Sequence, residues 1–396
     1  MVGLGLAAFA GVVACAPAPQ TDPDAIKVGL LLPYTGASSA TSNNFEHAVL
    51  FARDQINEGG GVQGRRLEVV EADTHSDLVR ARESVDALIA AGVVVVIGPE
   101  SAEIAADIKP ILDANDIVFL SPLVGAADDD AVDCTTPWFR LAPSARTLGE
   151  ALAKQASADQ VASVALFYAD GAYDQALGTA FKNRFISLGG SVPVEQVLQS
   201  DAESYADVIP TADLAGVDAE MLSATPRAAA LLVNELRFVD ESGTRWYLSP
   251  LLKTDLLVEN VAPAALEGAS GVTPKIFDTG PAFPEAFSAR WSGDSPLDGA
   301  FFYYDAMALL AFGLERADLV EGRIRAPQLR ASIAASTGSR GESGTWNQIG
   351  DSLSRLRDGV DMNYSGLTGP ILLEDCGDRR SGESARWWVH DGQIEE

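Results

Sequence analysis

The side chains able to do covalent or metal chemistry are few and scattered. The 396-residue chain has three His, at His47, His75 and His390, and three Cys, at Cys15, Cys134 and Cys376. No Cys-x-x-Cys pair and no short Cys/His spacing occurs, which speaks against a zinc module. There is no His-Glu-x-x-His, no Gly-x-Ser-x-Gly and no Walker lysine. Gly59-Gly60-Gly61-Val62-Gln63-Gly64-Arg65-Arg66 imitates a phosphate loop but lacks the terminal Lys-Ser/Thr, so it reads as a turn after a helix. The densest ionisable group is Asp73-Thr74-His75-Ser76-Asp77. It could hold a metal or pass a proton. The same residues just past a strand would also cap the next helix, and three isolated His offer a nucleophile few bases. Asp128-Asp129-Asp130 with Asp133 lacks the alternating ligands of a calcium loop and reads as a solvated loop. The balance favours binding over turnover, with no metal and no cofactor.

Three loops are better candidates for binding. They read Pro33-Tyr34-Thr35-Gly36-Ala37-Ser38-Ser39, Gly98-Pro99-Glu100-Ser101-Ala102 and Ser121-Pro122-Leu123-Val124-Gly125. Each follows an apolar run, and free N–H groups at the next helix start would favour a carboxylate. Equally, Ser, Pro and Gly are ordinary turn and cap residues.

The elements behind these loops alternate. Residues 26–33 (IKVGLLLP) form an apolar run, and Phe45, Ala48, Val49, Ala52 and Ile56 then share one helical face. Residues 67–72 predict a second strand, Asp77 a helix cap before Ala81, Val85, Leu88 and Ile89, and residues 93–98 (VVVVIG) a central strand. A helix through Ile104, Ile108 and Ile111 precedes a strand at 117–120. The pattern restarts 135 residues later with VASVALFY at 161–168, then strands at 192–198, 219–223 and 245–249 with helices between. Such alternation predicts two doubly wound parallel-sheet lobes of α/β class, with ligand space beyond the carboxyl ends of the strands.

Charge narrows the partners. Twenty-eight Lys and Arg against 56 Asp and Glu leave a net charge of −28, which argues against nucleic acid. The first fourteen residues, MVGLGLAAFAGVVA, are too few to span a bilayer and suit a signal peptide. Val12-Val13-Ala14-Cys15 resembles a bacterial lipobox, which predicts a lipidated Cys15 and a tether over residues 15–25. A signal cut elsewhere, with Cys15 incidental, is the alternative. A lipid anchor would place the protein on a membrane, outside the cytoplasm.

From about residue 26 to 393 the chain resembles the leucine/isoleucine/valine-binding protein family, the type I periplasmic solute-binding proteins of ABC transporters. The resemblance rests on IKVGLLLPYTG, INEGGGVQGRRLEVVEADTHSD, VVVVIGPES, IVFLSP, TPWFRLAPSA, VALFYADGAYDQALG and GAFFYYDAMALLAFGLERA, with YSGLTGPILLEDCGDRRSGESARWWVHDG near the end. It implies three crossovers, near residues 138–142, 268–274 and 384–389. Lobe 1 would then take 26–140 plus 272–385, and lobe 2 would take 141–271 plus 386–396. It implies a monomer that closes on a small ligand and hands it to a membrane permease without catalysis. A sensor of the same fold, signalling to a membrane partner, is the other reading.

Carried over position by position, the resemblance implies contacts from Thr41, from Ser101 or Ala102, from the backbones of Leu123 and Gly125, and from Tyr173 laid over the ligand. Departures bear on the ligand. Leu251 stands where amino-acid binders place an acid for the ammonium, Ala224 and Thr225 where an aromatic is usual, and Gly125 in place of Thr. Asp255 or Glu100 could supply the missing acid if either reaches the cleft. The expected ligand is a small carboxylate-bearing or polar solute, and not a standard branched-chain amino acid. Cys134 and Cys376 remain once Cys15 is lipidated, and in an oxidising compartment they could pair or stay separate thiols.

Overall fold

A computed structural model describes residues 22–36, 38–124, 136, 138–209, 217–237, 245–262, 264–277, 281–320, 323–338, 340–373, 377–379 and 382–396. Cys15, Cys134, Cys376 and Gly125 lie outside them, as does the Asp128–Asp130 run.

The first apolar run becomes β1 (Ile26–Leu32), buried at all but one position. The helix with its face through Phe45 and Ala52 is α1 (Ser42–Glu58). Then follow β2 (Leu67–Asp73), α2 (Leu78–Ala91), β3 (Val95–Ile97), α3 (Ala102–Ala114), β4 (Val118–Ser121) and β5 (Trp138–Arg140). These strands form one sheet in the order β2-β1-β3-β4-β5, every pairing parallel. Side chains from both faces of β1 are buried, which is why its sequence is apolar at every position but Lys27 instead of alternating.

After β5 the chain leaves for a second sheet. It runs through α4 (Ala145–Ala158), β6 (Ser163–Ala169), α5 (Ala172–Ser187), β7 (Ser191–Leu198), β8 (Ala219–Ser223), α6 (Pro226–Arg237), β9 (Arg245–Leu248), α7 (Asp255–Glu259) and β10 (Ser270–Pro274). It then returns to the first lobe with α8 (Ala282–Arg290), α9 (Asp298–Arg316), α10 (Ala326–Ala335), β11 (Glu342–Gly344), α11 (Ile349–Arg357), β12 (Met362–Gly366) and β13 (Gly369–Pro370). A last passage places β14 (Ser384–His390) and β15 (Gln393–Glu395) back on the second sheet. That sheet has the order β15-β14-β10-β9-β8-β6-β7, with β14 antiparallel to β10 and to β15. The result is the predicted α/β architecture, two parallel-sheet lobes exchanging chain three times.

Helix α9 shows how the first lobe is held. Every residue from Ala300 to Leu314 is buried. Its flanks pack on α1 and β3, with the Phe45 and Tyr303 rings stacked at 4.8 Å, and all belong to one hydrophobic cluster with β1. A helix that is apolar all round must be enclosed by other elements.

The passages lie side by side. The Lys275 N–H donates to the Glu383 carbonyl at 2.8 Å, and their side chains pair at 2.7 Å. Arg379, leading into the last passage, donates to the Leu141 carbonyl in the first at 3.1 Å. Arg140 and Asp378 form a buried bidentate pair beside it, with Nη2 to Oδ2 at 2.5 Å.

A cleft between the lobes

Between the lobes lies a cavity of about 360 Å³. Its first wall is built from carboxyl ends of the first sheet: Glu100 and Ala102 after β3, and Leu123 and Val124 after β4. The start of α9 adds Asp298 and Phe302. The second lobe contributes Leu148 of α4, Tyr173 of α5, and Pro250 and Leu251 after β9. The passages close the floor with Ala142, Pro143, Thr273 and Pro274. A larger groove of about 750 Å³ runs along the flanks of α4 and α5, past Arg146, Glu150 and Asn183. It lies on one lobe, where no strand end opens, so topology favours the interlobe cavity as the site.

Four sequence-predicted residues therefore meet on one cavity wall or its opposite: Ala102, Leu123, Tyr173 and Leu251. Three others are absent from the lining. Ser101 caps α3, its hydroxyl accepting from the Ile104 N–H at 3.3 Å. Thr225 is exposed, and its hydroxyl accepts from the Ala228 N–H at 3.3 Å. Thr41 stands at the start of α1. Asp255, the first residue of α7, is exposed and also off the lining.

The Asp73–Asp77 turn resolves into capping. Asp77 accepts from the Val79 and Arg80 N–H groups at 3.0 and 2.9 Å, and Asp73 accepts from the Thr35 hydroxyl at 2.7 Å and the His75 N–H at 2.8 Å. Among the described residues, the one cluster with metal-ligand spacing is Glu267, His390 and Asp391, on the exposed surface, where His390 Nδ1 lies 2.8 Å from Glu267.

Several contributors escaped the sequence reading. Thr74, inside that capping turn, donates its hydroxyl to Glu100 Oε1 at 2.9 Å. Tyr173 sits beside Asp174, which accepts from the Ser223 hydroxyl at 2.6 Å. Burial, with the Asp174 charge behind it, pushes the Tyr173 hydroxyl well above its ordinary pKa, so it stays a neutral donor. Burial likewise raises Asp174, against the Ser223 hydrogen bond.

At the mouth, Lys253 of the second lobe reaches Asp298 at the start of α9, with Nζ to Oδ2 at 2.6 Å, and also meets Glu396. Asp298 is half exposed, so the bridge is worth at most about 1 kcal/mol. Lys253→Gln should therefore open the free protein modestly. The expected signs are a larger radius of gyration in solution scattering and roughly fivefold weaker ligand binding. Unchanged dimensions and affinity would show that the bridge does not hold the lobes.

A profile of the periplasmic binding protein family matches residues 25–351. The chain belongs to that family. Its members are extracytoplasmic solute-binding proteins and not a class of enzymes. The chain is 24% identical to the leucine-, isoleucine-, valine-, threonine-, and alanine-binding protein of Pseudomonas aeruginosa, over 80% of this chain and 86% of that one. Other curated relatives are matched over less of their length, 32% of a Leu/Ile/Val-binding protein of Rhizobium johnstonii and 51% of a homolog in Brucella melitensis. Among solved structures, the branched-chain amino acid transporter substrate binding protein of Streptococcus pneumoniae, in complex with isoleucine, superposes with a TM-score of 0.73. That match has 16% identity over 94% of this chain and 98% of the other. A solute binding protein of R. palustris in complex with benzoate gives 0.71 at 19% identity, over 94% and 95%. At these identities the likeness concerns the fold. No helix among the described residues is long and apolar enough to cross a membrane.

Proposed function

We propose that the protein is a lipid-anchored solute-binding protein that captures a small amino-acid-like or carboxylate-bearing ligand between its lobes. It acts as a monomer, and hinge closure delivers the ligand to an ABC transporter in the membrane. The observation that carries this reading is the interlobe cavity, whose 360 Å³ is of the size that encloses a small organic solute. Strand-end loops of one lobe and Tyr173, Pro250 and Leu251 of the other face the same space, so a ligand touching both would favour the closed state. Relatives named for aliphatic amino acids, and structural neighbours holding isoleucine or benzoate, support the size and class of ligand. Mass spectrometry of solute released by denaturing the purified protein tests the reading. The released compound, added back, should contract the protein in solution scattering. A protein that binds it without contraction would not be a closing receptor.

Anchoring rests on Val12-Val13-Ala14-Cys15. Each buried methylene of an acyl chain contributes roughly 0.8 kcal/mol, so a diacylated Cys15 would hold far better than a single chain. Expression of the precursor with Cys15→Ser should release the protein from the membrane fraction. Association that survives the substitution would remove the anchor from the proposal.

A further inference from the structure

Among the described residues, one acid on the cleft wall has no cation. Glu100 follows β3, and Oε1 accepts the Thr74 hydroxyl at 2.9 Å, while Oε2 is shielded from solvent and accepts nothing. The other acid on the wall, Asp298, is already paired with Lys253. Among the described residues, neither Lys nor Arg lines the cavity. Around Glu100 the remaining charges are unhelpful: Asp73 repels it, and the buried Tyr303 hydroxyl, near enough to feel its charge, makes no hydrogen bond either. A desolvated carboxylate without a partner is expensive, and the partner the protein omits is one a ligand can bring. We propose that Glu100 is the specificity-determining counter-ion for a cationic nitrogen on the ligand, so that the cleft selects small primary amines over the corresponding amine-free acids. This rests on the cleft being the ligand site. The ammonium would dock on the first lobe, and the apolar body would lie against Leu123, Leu251 and Phe302.

The pH dependence has a definite sign. Burial, partly offset by hydrogen bonds from its own backbone N–H and from the Thr74 hydroxyl, holds Glu100 above the ordinary carboxylate range in the free protein. An ammonium prefers the ionised form, so binding should release a proton and tighten as pH rises through the window just above that range. Of the groups around Glu100, Tyr173 and Tyr303 titrate far higher and Asp73 lies below its ordinary value, so they leave that window clear.

The test uses the full chain and its Glu100→Gln variant. A thermal-shift panel of the twenty amino acids, their decarboxylated amines and their deaminated acids finds a responding carbon skeleton, and calorimetry then measures its three forms. Hits should carry an amine, bind more than tenfold weaker to Glu100→Gln, and release a proton on binding to the wild type. Free Glu100→Gln should melt no lower than the wild type, because the lost charge had no partner. The proposal is overturned if the amine-free acid binds equally well. It is also overturned if the variant binds the amine unchanged or melts lower, since Glu100 is then satisfied inside the protein through Tyr303. Hits confined to acids would leave the cleft reading standing and remove only this inference, whereas a silent panel would remove both.

Discussion

Replacing Asp305 with alanine should destabilise the first lobe by about 3–5 kcal/mol, the range for breaking one partner out of a buried charged network. Asp305 lies in the middle of α9 and is fully buried. One oxygen accepts the Tyr364 hydroxyl at 2.6 Å and the Leu367 N–H at 2.8 Å; the other accepts the Thr368 N–H at 2.8 Å and the Thr368 hydroxyl at 2.7 Å. Arg379 adds a nearby positive charge, and is itself held by carbonyls of Leu141, Thr368 and Pro370. Burial alone would raise the Asp305 pKa, and those four donors work against that rise. Alanine would leave two N–H groups, a phenol and the Thr368 hydroxyl without this acceptor, and the buried Arg379 cation without the anion that offsets its burial. Asparagine, which can turn only one oxygen to the donors, should fall between alanine and wild type. Urea unfolding of the three proteins measures this directly. A loss under 1 kcal/mol for alanine would mean that water replaces the carboxylate, and that α9 does not depend on this tie to the passages.

How much of this was legible in the sequence depends on the range of the interaction. The apolar run of β1 and the face through Phe45, Ala48, Val49, Ala52 and Ile56 are local, and the structure places them as strand and helix. Asp77 as a cap is local too. Strand-end loops at Glu100–Ala102 and Leu123–Val124 were legible because a parallel sheet brings its βα loops to one edge. The antiparallel pairing of β14 with β10 was not legible, since its partners, such as Ser270 and Trp388, are distant in sequence and no local pattern encodes the register. The same holds for Asp298, Phe302 and Lys253, which reach the cleft from distant elements. Ser101 and Thr225 show a different ambiguity. A hydroxyl just before a helix is written the same way whether it serves a ligand or the helix's own N–H groups, and here both accept from the backbone.

Gly98→Ala should cost about 3 kcal/mol, combining backbone strain with a steric clash, and should weaken ligand binding with it. Gly98 directly follows β3 and has φ +125°, a conformation side chains rarely adopt. A Cβ there would sit 2.0 Å from the carbonyl oxygen of Leu31 in the neighbouring strand β1. Neither neighbour can yield easily. The Gly98 N–H donates to the Leu120 carbonyl at 3.0 Å, and its own carbonyl accepts the Ser121 hydroxyl at 2.9 Å, which in turn accepts the Trp138 indole N–H at 2.7 Å. Strain would be passed to the next residues of the chain, where Glu100 holds its place in the cleft through Thr74. Gly92→Ala separates the two costs. Gly92 also has positive φ, +78° at the end of α2, but a Cβ there would meet nothing within 4 Å. It should lose only about 1 kcal/mol from backbone strain and leave ligand affinity unchanged. Equal losses in the two variants, measured by urea unfolding, would show that the β1–β3 contact can relax. The loop carrying Glu100 would then not depend on the absence of a side chain at position 98.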